Sequence, residues 1–247
     1  MKSFRTMLKT ELKLSLRGMD MFIFAICMPL AVMTLIGVLY GDKPAFPGAD
    51  FTFLDQSFGA LTSISICAGG VMGLPLVVSD YRSRHILKRF RVTPISPAVI
   101  LLVQVVIYTL YAVASLLLLY IVGKICFGLR VHGSALSFLG GYLLVMLSMF
   151  SVGMMVGGIA PDVKMAGVIA SLLYFPMLIF SGATLPYEAM PAALQRLADI
   201  LPLTQGIKLL KAASLGLPIT DVLLPVAMMT VLAAVCTTVA LKHFRWE

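Results

Sequence analysis

The chain has 247 residues, 60% of them hydrophobic and 12% charged, with a net charge of +8. Soluble domains run at about 45–50% apolar and roughly 25% charged residues, so this composition excludes a water-soluble globular fold and makes lipid the solvent for most of the chain. The positive charge is therefore a topological marker and not a nucleic-acid footprint, because Lys and Arg in membrane proteins collect on the cytoplasmic side.

Residues 1–18, MKSFRTMLKTELKLSLRG, predict an amphipathic helix. Phe4, Leu8, Leu12 and Leu16 recur at every fourth position, and so do Arg5, Lys9, Lys13 and Arg17. On a helix these form neighbouring apolar and basic stripes. Such a helix lies at the inner headgroup layer, with leucines in acyl chains and cations on lipid phosphates. The alternative is a soluble amphipathic helix on a partner protein.

Six membrane-length runs follow, at 21–40, 57–78, 98–122, 135–160, 165–185 and 222–241, and none contains Asp, Glu, Lys or Arg. Each reaches across a hydrocarbon core of about 30 Å at ~1.5 Å per residue, and backbone in lipid must satisfy its own hydrogen bonds, so each predicts a helix. The first run is too long for a signal-peptide core and lacks a small-residue cleavage site. Six crossings put both termini on one side. The segments on that side hold most of the Lys and Arg; the other side holds Lys43, Lys124, Arg130, Arg196, Lys208 and Lys211. The bias assigns both termini to the cytoplasm.

Pro29, Pro75 and Pro176 fall inside runs and predict kinks. The pairs Gly37/Gly41, Gly69/Gly73 and Gly153/Gly157 permit close helix approach, either within the chain or between chains. Cys27, Cys67, Cys126 and Cys236 form no CxxC pair and read as small buried hydrophobes, not as a metal or disulfide framework.

The connector 79–97, SDYRSRHILKRFRVTPISP, sets Arg82, Arg84, Lys88, Arg89 and Arg91 between two uncharged runs. A helix over 80–92 places Ile86, Leu87 and Phe90 on one face and Arg84, Lys88 and Arg91 on the next. Thr93-Pro94 ends it, since the residue before proline is pushed out of the α region. Positive-inside bias alone would account for the cations; the apolar edge calls for headgroups or a protein groove.

The segment 181–221 is too apolar for a free loop. Pro186, Pro191, Pro202 and Pro218 divide it into two short helices, 192–201 and 203–215, the second followed by Gly216. Neither can span a bilayer, which favours re-entrant or interfacial placement. Arg196 and Asp199, three apart, are positioned to pair.

No GxxxxGK[ST] loop is present, so the chain does not bind ATP by that device, and HExxH and GxSxG are also missing. His85, His132 and His243 are too far apart for a local metal motif. The charge-free spans argue against an ion-coupled carrier and against an intramembrane enzyme. Their aromatic, Met and Ser/Thr surfaces suit a hydrophobic, amphipathic or lipid-like cargo.

LKRFRVTPIS (87–96), between the second and third runs, resembles the cytoplasmic coupling helix of type-2 ATP-binding-cassette (ABC) exporter permeases. FPMLIFSGATLPYEAMPAALQRLADILPLTQGIKLLKAASLG (175–216) resembles that family's C-terminal signature, and the basic N-terminus its connecting helix. The likeness covers essentially the whole chain and is greatest to the drug- and antibiotic-exporting branch. Ser83, His85, Ile86 and Lys88 stand where the family commonly carries acidic residues and a Gly-Thr pair.

The resemblance implies an all-α membrane protein, one permease domain over 1–247, with six transmembrane helices. To these it adds an N-terminal interfacial helix, a coupling helix over 80–94 and outer-leaflet re-entrant helices over 186–218. It implies that Asp80, Tyr81, Arg82, Arg84, His85, Leu87, Lys88, Arg89, Phe90 and Arg91 meet an ATPase, Leu87 and Phe90 by apolar docking. Gly182, Pro186, Glu188, Pro191, Arg196, Asp199, Pro202 and Gly216 would belong to the release gate. The implied partners are a second or sister permease, two ATPase subunits carrying ATP and Mg, and the lipids of a bacterial inner membrane. The chain itself would hold no cofactor and catalyse no reaction. The rival reading is a self-sufficient carrier or channel whose basic connector binds anionic lipid.

Overall fold

A computed structural model describes residues 2–40, 43–46, 48–84, 97–183, 187, 190–218 and 222–243. Among these the secondary structure is helical apart from an isolated bridge between Pro44 and Thr52. The helices are α1 (Lys2–Gly18), α2 (Asp20–Tyr40), α3 (Phe53–Ser83), α4 (Pro97–Phe127), α5 (Ala135–Ile159), α6 (Val163–Phe180), α7 (Ala192–Ile200), α8 (Pro202–Leu215) and α9 (Leu223–His243). Six of them, α2 to α6 and α9, are long and apolar enough to cross a membrane.

The central post is α3. In its most apolar stretch 83% of residues are buried, against 28% in α2, α6 and α9. Those peripheral helices keep wide apolar faces exposed, such as Leu172 and Val231, as lipid-facing helices must. The core is held by close packing, because lipid tails are as apolar as leucine and supply no hydrophobic drive between helices. Close approach is greatest where α3 crosses α5: a Cβ on Gly153 would overlap the Gly70 carbonyl oxygen, and one on Gly157 would meet Val78 at 2.9 Å. Gly69 and Gly73 pack against Tyr108, and Gly37 against Phe127, so these small residues serve contacts within the chain. Gly41 lies outside the described residues.

Two of the proline positions have a specific consequence. Ile23–Cys27 and Ala68–Gly73 are π-helical turns that end two residues before Pro29 and Pro75. Proline lacks an N–H, and its ring crowds the carbonyl four residues earlier, here Ala25 and Val71. Both carbonyls lie inside the widened turns, which relieve that crowding.

Helix α1 turns into α2 at Met19, whose φ of 59° is left-handed and breaks the helix. Phe4, Met7, Leu8 and Leu12 pack against the bundle core, while Arg5, Lys9, Lys13 and Arg17 stay exposed. The two stripes exist, but the apolar one covers the protein's own α4 instead of lying wholly in acyl chains; Leu14 and Leu16 are the exposed leucines. The cysteines also divide: Cys67 and Cys236 are buried, whereas Cys27 and Cys126 are exposed on outer helix faces, where apolar surroundings are provided from outside.

Span boundaries shift from the expected ones at their ends. α3 runs past position 78 to Ser83 because its polar last turn finds partners in the bundle. α6 stops at Phe180, short of 185, because Gly182 takes a φ of 92°.

Candidate functional site

The last turn of α3 leads into the connector and is tied to the bundle by two contacts. Tyr81 donates its hydroxyl hydrogen to Glu11 Oε2 at 2.5 Å, and Gln104 Nε2 donates to the same carboxylate oxygen at 3.1 Å and to the Tyr81 oxygen at 2.8 Å. One charge-assisted network thus joins α1, α3 and α4. On the adjoining side Arg82, 7% exposed, donates from Nη1 to the Gly158 carbonyl at 2.8 Å. Gly158 is the penultimate residue of α5, where carbonyls lack helical partners and a cation meets the negative end of the helix dipole.

Asp80 and Arg84 form an exposed i,i+4 pair at 2.8 Å, which contributes little to stability. Of the residues expected to meet an ATPase, Tyr81 and Arg82 therefore face the chain itself, and Asp80 and Arg84 lie at the surface. His85, Leu87, Lys88, Arg89, Phe90 and Arg91 lie outside the described residues. Sequence reasoning missed Glu11 and Gln104. The lone acid in the basic α1 and the lone amide early in α4 were the available signals.

At the opposite end, α7 and α8 form a second cluster. Pro202 occupies the first turn of α8, where a missing N–H is harmless, and Pro191 precedes α7. Gly216, with φ of 71°, closes α8: its own N–H and that of Leu217 both reach the Ala212 carbonyl, a Schellman-type end that needs the left-handed conformation. Eight residues earlier on the same helix, Lys208 Nζ contacts Asp199 Oδ1 at 2.6 Å and sits 4.6 Å above the Tyr187 ring, whose hydroxyl donates to Asp199 at 2.9 Å. Asp199 therefore pairs with Lys208 and not with Arg196, which stays exposed on α7; Lys208 is distant in sequence but brought across by the α7–α8 turn. Pro186 and Glu188 lie outside the described residues.

Partial burial pushes the Asp199 carboxyl up, but the hydrogen bonds from Lys208 and Tyr187 and the Lys208 charge outweigh it and hold the carboxyl below its usual value. Burial and the neighbouring Asp199 push the Tyr187 phenol up.

Most of α8 is buried, against the first half of α3 and against α5 and α9. The neighbouring loops are pinned to it. His132 and Gly133 donate backbone N–H groups to the Ser214 carbonyl at 2.9 Å, and Arg130 donates its N–H to Asp55, which also completes the Thr52 capping box of α3. Between α8 and the ends of α2 and α3 nearest it lies a cavity of about 780 Å³, with Ile36, Ile207 and Lys208 on its wall.

A charge-poor bundle of six membrane-length helices, with a braced α3 end on one side and the short helices α7 and α8 on the other, defines a polytopic membrane protein. The ABC-2 type transporter family model matches residues 2–215, and the chain belongs to that family. It is 35% identical over 98 residues to Nodulation protein J of Neorhizobium galegae, a match that covers 40% of this chain and 35% of the relative. It is 35% identical over 85 residues to Nodulation protein J of Rhizobium leguminosarum bv. viciae, covering 34% of this chain and 33% of the relative. It is 26% identical over 167 residues to Inner membrane transport permease YhhJ of Escherichia coli (strain K12), covering 67% of this chain and 44% of that protein. The aligned stretches thus span less than half the length of each relative.

Proposed function

We propose that the chain is the membrane subunit of an ABC exporter, moving a hydrophobic or amphipathic molecule outward across a bacterial inner membrane. Two permease chains, identical or sisters, work with two separate ATPase subunits that hold ATP and Mg. Both termini and the 79–97 connector face the cytoplasm, and the α7–α8 region lies toward the outer leaflet.

The observation that carries this reading is the double bracing of the α3 end. A segment that must transmit force from a partner needs a stiff attachment, and Tyr81 and Arg82 fasten it to α1, α4 and α5 together. Within the connector, Leu87 and Phe90 dock in the ATPase cleft and Arg84, Lys88, Arg89 and Arg91 provide charge partners. Tighter ATPase binding to one permease state than to the other is what drives the change.

The test is the double variant Leu87→Ala/Phe90→Ala in the host membrane with its ATPase. The expected result is normal insertion, reduced ATPase co-purification and reduced ATP-driven efflux of an amphipathic dye. Undiminished co-purification and efflux would overturn the docking assignment. Transport by the chain reconstituted alone under an ion gradient would overturn the exporter reading.

A further inference from the structure

We propose that the cavity beside α8 binds an amphiphile with an apolar tail and a head that donates hydrogen bonds through a hydroxyl or an amide N–H. The site stands on its own geometry and requires neither an ATPase nor a transport cycle.

Its volume, about 780 Å³, lies within the range of roughly 300–1,000 Å³ over which proteins hold small molecules. One wall is α2, with Leu35, Ile36 and Leu39; Leu35 and Leu39 are also more than half exposed, so the cavity adjoins the lipid phase. Ile207 of α8 continues the apolar lining. These side chains receive an apolar tail and offer it no polar contact.

Three polar residues of the lining stand apart. Ser181 and Thr204 are each 1% exposed, and their hydroxyl oxygens, together with Gln56 Oε1, are buried with no hydrogen-bond partner among the described residues. They reach this one cavity from three places: α3, the turn after α6, and α8. Other polar side chains of the lining are satisfied. Ser57 donates to the Phe53 carbonyl, and Tyr187 and Lys208 both meet Asp199. Buried polar atoms nearly always have partners, and those that lack one call for a missing group.

The chemistry of these atoms selects the head. The Ser and Thr hydroxyls can donate or accept, so an ether or ester oxygen would be enough for them. Gln56 Oε1 only accepts, so the head must bring an O–H or N–H. Rotation about side-chain bonds turns the sealed oxygens toward the cavity. Charge takes no part in this choice: Lys208 is paired with Asp199, and Lys211 has a partner of its own within the chain. A resident lipid and a passing cargo can both carry such a donor.

The test uses the full chain purified in lauryldimethylamine oxide, a detergent with no O–H or N–H to compete. Native mass spectrometry compares monolauroylglycerol, which has two hydroxyls, with its dimethyl ether, which has none. The expected result is about tenfold tighter binding of monolauroylglycerol, in line with one net hydrogen bond. Gln56→Leu should erase that preference, and Ile36→Trp should block both probes. Leu172→Trp, on the outer face of α6, should leave both unchanged.

Thr204→Val gives a second readout that loss of fold cannot imitate. It should weaken both probes, yet the ligand-free chain should melt no lower than the parent, because an unpartnered buried oxygen has been removed. Equal affinity for the two probes, failure of both to bind a lipid-free chain, a preference that survives Gln56→Leu, or a ligand-free Thr204→Val chain that melts below the parent would each overturn the proposal. A hydroxyl- or amide-bearing lipid recovered with the chain from its own membrane, and lost in Ile36→Trp, supports the assignment and marks a resident occupant. Uptake of monolauroylglycerol by a chain that arrives empty supports it and marks a transient one. Because no ATPase is present, failure here leaves the transport reading untouched, and loss of coupling in Leu87→Ala/Phe90→Ala leaves this site untouched.

Discussion

The Tyr81 hydroxyl and the Glu11 carboxylate, 70 positions apart, meet at 2.5 Å and bind the N-terminal helix to the last turn of α3. Hydrogen bonds to charged groups contribute about 1.5–3 kcal/mol. Tyr81→Phe should therefore lower the melting temperature in detergent while the chain still inserts, and Glu11→Ala should lower it further, because Tyr81 loses its charged acceptor and Gln104 one of its two acceptors. A Tyr81→Phe melt superimposable on the parent would show that the network holds nothing.

Arg82 is nearly buried at the end of α5, so its contribution is internal. Replacing it with Met keeps the stem but leaves the Gly158 carbonyl without its cation, an expected loss of about 1–3 kcal/mol. Arg82→Lys should recover part of this. Chemical denaturation followed by helical circular dichroism reads the difference; equal stability of all three chains would refute the capping role.

Two glycines in α5 give a matched pair of substitutions. Gly153→Ala drives a methyl group into the Gly70 carbonyl, and overpacking of this kind costs about 1–3 kcal/mol. Gly140→Ala meets open space and removes backbone freedom, for a gain of up to about 1 kcal/mol in helix propensity. Thermal unfolding should move in opposite directions for the two. Movement in the same direction would contradict the α3–α5 crossing.

The Asp199 carboxyl is held below its usual value by Lys208 and Tyr187. A group whose folded value is depressed gives stability above the unfolded value and loses it as pH falls through the folded one. The unfolded reference is 3.8, so the α7–α8 cluster should be insensitive between pH 5 and 7 and weaken only below about 4. The pair is largely exposed, so the change is small and screened by salt. Asp199→Asn should abolish it in amide exchange measured on α7. A chain whose α7 loosens already at pH 6 would contradict the assignment.

Hydropathy made the six spans legible, and the Pro-bounded short helices and the Gly216 end were legible from turn chemistry. Less legible was where polar residues go once the spans pack. Asp199 had Arg196 at helical spacing, yet the turn at Leu201 brings Lys208 over it instead. The α1 leucine stripe was visible, but a periodic face does not say whether lipid or another helix will cover it. α4 continues past position 122 because Lys124 reaches back over the Tyr120 ring, at 5.7 Å, and keeps its charge at the edge while its stem stays apolar. Glu11 and Gln104 gain meaning only from a contact that spans three helices.

The widened turn at Ala68–Gly73 divides α3 into two α-helical rods joined through a π-helical register. The upper rod carries the Asp55 cap and the wall of the cavity; the lower one ends in the braced Tyr81 and Arg82. α2 has its own joint beside it at Ile23–Cys27, with Met21 against Gly73. The two joints lie beside each other, so α2 and α3 both change hydrogen-bond register at one place in the bundle.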